Sequence, residues 1–210
     1  MKYDYIRDGR DIYRQSFATI RAEANLEGLD PDLATVAVRL IHACGMTDIV
    51  ADLVASTKAV AIGRQALNQG AMILCDAQMV AGGITRQRLP ADNLVLCTLN
   101  HPEVPGLAAQ IGNTRSAAAI ELWRPYLAGA VVVIGNAPTA LFYLLELLAQ
   151  DLHPPALILG FPVGFVGAAE SKQALVNHPR QIPFITLLGR RGGSAMAAAA
   201  VNALAQKEEL

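Results

Sequence analysis

Cysteine, aromatic side chains, net charge and long apolar runs are all scarce in this chain, and each shortage removes a class of protein. Cys44, Cys75 and Cys97 are odd in number and share no C-x-x-C spacing. They indicate neither a disulfide framework nor a structural zinc site, and read as small buried apolar residues. Aromatic residues make up 5% of the chain, too few for a platform on which nucleic-acid bases stack. A formal charge of −1 gives no general pull on nucleic acid or an anionic membrane, so anion binding has to come from local clusters. No apolar run approaches the roughly 18 residues of a membrane span, and Met1-Lys2-Tyr3-Asp4-Tyr5 is charged where a signal peptide is apolar. These features predict a cytoplasmic protein. No linker, low-complexity tract or repeat interrupts the 210 residues, 53% of them hydrophobic, and a single domain over 1–210 is expected.

The first third reads helical. Residues 11–24 carry Ile12, Phe17 and Ile20 on an apolar face, and Asp30-Pro31 supplies a cap and a first-turn proline for a helix ending near Cys44, before Gly45. From there short apolar runs at 71–75, 94–98, 130–134, 156–159 and 184–188 alternate with helix-length segments at about 60–70, 114–124, 138–150, 168–177 and 194–206. Continuous apolar strands alternating with helices predict a five-stranded parallel sheet covered on both faces, a three-layer α/β/α fold with extra N-terminal helices. Ligands of such sheets bind beyond the carboxyl ends of the strands. The residues there are Asp76, Asn100-His101-Pro102, Gly135-Asn136-Ala137-Pro138-Thr139, Gly160-Phe161-Pro162-Val163-Gly164 and Gly189-Arg190-Arg191-Gly192-Gly193-Ser194.

Glycine-rich loops invite a nucleotide reading, but no G-x-x-x-x-G-K-[ST] occurs, and Asp76-Ala77-Gln78 stands where G-x-G-x-x-G would follow the first strand. Gly160, Gly164 and Gly167 serve either as turn residues or as places where backbone approaches a large flat ligand. Asn113 reads as an N-cap, which puts Arg115 in a first helical turn, where the macrodipole disfavours a cation by up to about 1 kcal/mol. Arg190 and Arg191 likewise precede the helix opened by Ser194. These arginines are either solvated surface or an anion site. His101, His153 and His178, each before a proline, read as solvent-facing turn residues, and no histidine pair has the spacing of a helical metal site. Ser16 and Ser194 lack a G-x-S-x-G elbow.

His42 is placed by helical angle. Leu33, Val36, Ala37, Leu40 and Cys44 share one face of its helix, and His42 points almost opposite, near Thr35 and Val38, with Arg39 one turn back. It is either an ordinary surface histidine or one that faces a site closed by a second surface, such as another subunit, where a pKa near 6.5 suits proton transfer.

Several stretches together resemble the precorrin-8X methylmutase family of cobalamin biosynthesis: residues 15–23, Ile41-His42-Ala43-Cys44-Gly45, Ile73-Leu74-Cys75-Asp76, Gly112-Asn113-Thr114-Arg115-Ser116, residues 134–141, residues 162–172 and Gly192-Gly193-Ser194. The resemblance spans nearly the whole chain. It implies a homodimer of flavodoxin-like subunits with the active site in a cleft that both subunits close, no cofactor and no metal. The implied reaction moves the methyl on ring carbon 11 of precorrin-8X to carbon 12, giving hydrogenobyrinate. The cobalt-containing counterpart is the alternative; a non-catalytic corrinoid carrier and a dinucleotide oxidoreductase rank below it. His42 is then the proton donor. Arg39, Arg115 and Arg190 hold carboxylate arms of the tetrapyrrole, Ser16, Thr85 and Asn136 hydrogen-bond it, and Gly164 gives backbone close approach.

Overall fold

The computed structural model describes residues 1–150 and 152–206. Helix α1 (Gly9–Glu23) starts where the Asp8 carboxylate accepts from the Asp11 N–H, and α2 (Pro31–Cys44) where Asp30 accepts from the N–H groups of Asp32 and Leu33. Each cap satisfies a backbone donor that the first turn leaves unpaired. α2 ends as expected at Gly45, left-handed at φ 71°. A 3-10 turn over Thr47–Asp52 leads into β1 (Leu53–Ala55). There follow α3 (Ala59–Asn68), β2 (Ile73–Cys75), α4 (Gln78–Gly83), β3 (Val95–Leu96), α5 (Val104–Ile111), α6 (Arg115–Glu121), β4 (Val131–Ile134), α7 (Pro138–Leu148), β5 (Leu157–Gly160), α8 (Ala168–Val176), β6 (Phe184–Leu187) and α9 (Ser194–Ala205).

The sheet has six strands in the order β1-β6-β5-β4-β2-β3, with β1 antiparallel to β6 and the other pairs parallel. The five parallel strands are those expected, and β1 adds an antiparallel edge strand to them. β1 is three residues long, and a run that short has no readable periodicity. Counted without it, the parallel strands follow the flavodoxin-like 2-1-3-4-5 order, and the order reverses between β2 and β4.

Strand side chains alternate between two cores. Ile73, Cys75, Val131, Val133, Leu157, Leu159, Ile185 and Leu187 pack with α1, α2, α3, α4 and α9. Leu74, Val132, Ile134, Ile158 and Phe184 pack beneath α7 and α8 with Trp123. Sheet strands buried on both faces are apolar throughout, which is what makes these runs visible in the sequence.

Local expectations are revised in four places. Thr114, not Asn113, caps α6: its hydroxyl accepts from the Ala117 N–H, so Arg115 is the first helical residue. Val38 and Arg39, assigned by angle to the outward side of α2, are buried because α1 packs across them. His178 is half-buried, with Nε2 3.3 Å from the Leu145 carbonyl, while His101 and His153 are exposed. The strand expected over 94–98 is confined to Val95–Leu96, because Thr98 turns out of the ladder: its carbonyl accepts from His101 N–H, and its hydroxyl donates to the Ala119 carbonyl and accepts from Trp123 Nε1 at 2.9 Å. Of the three cysteines, Cys75 is buried and Cys44 and Cys97 are half-buried.

Trp123→Phe removes the indole N–H from this buried pair. It is expected to destabilise the fold by about 1–3 kcal/mol, measured by urea denaturation, with turnover at saturating substrate unchanged.

Candidate active site

His42 sits in the last turn of α2, exposed on the side that α1 approaches. Its Nδ1 lies 2.8 Å from the Ser16 hydroxyl of α1, and its ring packs 5.2 Å from both Tyr13 and Phe17, edge-on to the latter. The spacing of Tyr13, Ser16 and Phe17, three and four apart, places all three on one face of α1. The imidazole therefore has a fixed plane and one nitrogen committed to Ser16. The other, Nε2, is left for a ligand.

Partial burial, and then the nearby Arg39 guanidinium, lower the His42 pKa from its ordinary 6.5. Arg39 itself is 6% exposed and lies 5.1 Å over the Phe17 ring. A neighbouring cation makes imidazolium costly and hence a stronger acid once formed.

A cavity of about 380 Å³ opens beside His42, bounded by Tyr13, Arg39, Thr85, Arg88 and Asn202, with Ala195, Ala198 and Ala199 of α9 as an apolar floor. The Thr85 N–H donates to Asn202 Oδ1 at 2.9 Å, and the Asn202 amide donates to the Gly83 carbonyl at 3.1 Å, so this one side chain pins the 83–85 segment onto α9. Arg88 stacks over Tyr13 at 5.9 Å. Sequence reasoning misses both Asn202 and Arg88. A signal exists for each: Asn202 is the one polar residue between Met196 and Leu204 in an alanine-rich helix, and Arg88 follows Arg86 in an R-x-R run.

The remaining predicted residues lie elsewhere on the carboxyl edge of the sheet. Asn136, Gly164 and Arg190 occupy neighbouring loops after β4, β5 and β6, joined by Val163 N–H to the Asn136 carbonyl and Gly164 N–H to the Arg190 carbonyl at 3.2 Å. Arg190 lies 5.5 Å over the exposed Phe165 ring. Arg115 donates from Nη2 to the Leu99 carbonyl at 3.2 Å and approaches Asn100 Oδ1 at 3.5 Å, tying α6 to the β3–α5 loop. Arg39, His42 and Thr85 thus line one cavity, with Ser16 bonded to His42, while Arg115, Asn136, Gly164 and Arg190 do not line it.

At the switch point between β2 and β4, the buried Asp76 carboxylate accepts from the N–H groups of Gly135, Asn136 and Ala137 at 2.8–2.9 Å. Burial raises its pKa, against the opposing pull of those three donors. In the sequence Asp76 stands out only by its position after a strand; its work is to hold the turn that carries Asn136. Helices α7, α8 and α9 begin on this same edge after Ala137, Gly167 and Gly193, none of which supplies a side-chain cap. Their first-turn N–H groups and the positive ends of their dipoles lie on the edge that carries the loops after β4, β5 and β6. Among the described residues no three histidine, cysteine or acidic side chains cluster as a metal site would require, and no helix is long and apolar enough to cross a membrane.

Residues 11–207 match the family model described as precorrin-8X methylmutase. A precorrin-8X methylmutase from Pseudomonas aeruginosa is 68% identical over 98% of this chain and 99% of its own length. One from Sinorhizobium is 59% identical over 98% of each chain. The crystal structure of a precorrin-8X methylmutase from Thermus thermophilus superposes with a TM-score of 0.85 at 41% identity, over 94% of this chain and 95% of that one.

Asp76→Asn replaces a three-donor acceptor with an amide that presents its own N–H groups to the turn. The expected loss is about 1.5–3 kcal/mol of stability by urea denaturation. Faster hydrogen exchange at the amides of residues 135–137 should accompany it.

Proposed function

We propose, from the premise that the chain belongs to the precorrin-8X methylmutase family and is an isomerase of cobalamin biosynthesis acting on a corrinoid, that His42 is the acid that drives the methyl shift. The observation that carries this reading is the geometry of one residue: an exposed imidazole, anchored through Nδ1 to Ser16, packed against two aromatic rings and lining a cavity. An acid has to lie about 2.6–3.2 Å from the atom it protonates, directly or through one water, and an anchored ring can hold that position.

In the step proposed, His42 Nε2–H gives its proton to a ring nitrogen beside the quaternary carbon 11 of precorrin-8X. The added positive charge draws electrons from the bond to the migrating methyl. That methyl's bond to carbon 11 breaks as its bond to carbon 12 forms, and the proton then returns to His42. Substrate and product are isomers, so no co-reactant is consumed. Ser16 suits the task because a hydroxyl accepts from Nδ1–H or donates to a bare Nδ1, and so follows the imidazole through both charge states.

A substrate with many carboxylate arms needs cations and N–H donors spread over a broad face. Arg39 and Arg88 beside His42, Arg115 on the β3–α5 side, and Arg190 with the open helix N-termini provide them; Thr85 and Asn136 add hydrogen bonds, and Gly164 allows backbone to approach the macrocycle. These groups lie around an open face of the subunit, which supports a homodimer in which a second copy closes the cleft over the macrocycle. The relatives from Pseudomonas and Sinorhizobium, both named for precorrin-8X, support the metal-free substrate over its cobalt counterpart.

His42→Asn is expected to retain the fold and bind the corrinoid while turnover falls about 10²–10⁴-fold, the usual contribution of a general acid. Stopped-flow absorbance separates the outcomes, since turnover changes the chromophore and binding alone does not; full activity would remove His42 from the mechanism. The pH dependence has a defined sign. The acid form is needed, so kcat/KM should rise as pH falls towards a free-enzyme pKa below 6.5, and a bound polycarboxylate should move the corresponding limb of kcat to higher pH. Profiles that are flat from about pH 5.5 to 8, or unaltered in His42→Asn, would contradict this. Parallel assays with precorrin-8X and its cobalt complex should favour the metal-free compound.

A further inference from the structure

Lys172 is the largest charged side chain with no solvent exposure among the described residues, and the proton transfer proposed for His42 does not use it. It lies in the second turn of α8, on the face turned to the core beside Ser171 and Leu175. Its ammonium donates to the Arg191 carbonyl at 2.6 Å. Burying an ammonium is expensive, and burial brings the Lys172 pKa down to about 8 against the raising influence of Asp52. A cost of that kind persists where the geometry it imposes is used.

The geometry it imposes is that of the loop between β6 and α9. On one side of the Arg191 carbonyl, the Arg190 carbonyl accepts from Gly164 N–H at 3.2 Å; on the other, Gly193 N–H donates to the Phe161 carbonyl at 2.8 Å. Gly192 is pressed so close to β5's extension that a Cβ there would lie 2.4 Å from the Phe161 carbonyl oxygen and 2.6 Å from that of Pro162. The Arg191 side chain turns away to Asp48 at 2.7 Å and Asp52 at 2.6 Å. Two adjacent arginines are thus sent to different duties. Arg191 is paired with two carboxylates of its own subunit, and Arg190 is presented on the outer edge above Phe165.

We infer that Lys172 is a positioning residue for substrate binding: its hydrogen bond to the Arg191 carbonyl sets the loop so that Arg190, rather than Arg191, meets a carboxylate arm of the corrinoid. The inference rests on the assignment of Arg190 to substrate, and the experiment separates the two. Arg190→Ala, Lys172→Met and the double variant are compared with the wild-type enzyme for kcat and KM towards precorrin-8X. Each single change should raise KM about tenfold with kcat within about threefold, and the double variant should also sit near tenfold, because both changes remove one interaction. In Lys172→Met the amides of Gly192 and Gly193 should also exchange faster.

A double-variant KM near a hundredfold, the product of independent effects, would overturn the role of Lys172 while leaving Arg190 at the substrate. An unchanged KM in Arg190→Ala would overturn both. If Lys172→Met is recovered only unfolded, Lys172→Gln, whose shorter amide falls short of the Arg191 carbonyl, enters the cycle in its place: a raised KM in the single variant with a double-variant KM near that of Arg190→Ala supports the positioning role, and an unchanged single-variant KM or a multiplied double-variant KM overturns it.

Discussion

The contact on which the site depends is between small residues. α9 reads Ser-Ala-Met-Ala-Ala-Ala-Ala-Val-Asn-Ala-Leu-Ala, and it packs on α2, α3, α4 and the centre of the sheet. Its partners match its lack of bulk: a Cβ on Gly83 would meet Ala198 Cβ at 2.7 Å, and one on Gly135 would meet Ala197 Cβ at 2.7 Å. Alanine opposite glycine lets backbones approach at the short end of helix packing distances. The close seat of α9 fixes α2 above it, and α2 carries Arg39 and His42. It also gives the His42 cavity a smooth floor of methyl groups, suited to the face of a flat macrocycle.

Charge is distributed around that seat in two ways. Some cations are consumed within the subunit: Arg64 binds Asp32, Arg124 binds Glu121, and Arg191 binds Asp48 and Asp52. Others line the outer edge with helix N-termini whose first-turn donors have no side-chain cap. A net charge of −1 conceals this, because the acidic residues balance the first group and leave the second. For a polyanionic ligand the local arrangement matters more than the total.

The layers, the five parallel strands and both N-terminal helices are legible in the sequence, because buried strands and capped helices leave long unambiguous patterns. What escapes is short or conditional. β1 and α4 are too brief for periodicity, and β3 stops early because the Thr98 side chain competes for the backbone of a neighbouring helix. The outward direction of His42 follows from helical angle alone, yet the same angle misassigns Val38 and Arg39, since a helix wheel has no knowledge of a second helix lying across it. Arg88 and Asn202 reach the His42 cavity through a segment joined to α9 by hydrogen bonds between residues more than a hundred positions apart. Local sequence can single out the two residues, as a lone polar position and an R-x-R run, but not the contact that brings them together.

The borders of the sheet carry a consequence for assembly. One margin is the three-residue β1, running against the direction of its neighbour, and the other is the two-residue β3. Neither offers a row of unpaired backbone donors and acceptors long enough to template a further strand. The sheet margins therefore give another strand nothing to extend, and the large apolar side chains the subunit exposes include the loop tips Phe165 and Val166. Contact at these margins is thereby left to side chains, which can be specific, and denied to the backbone, which would accept any strand.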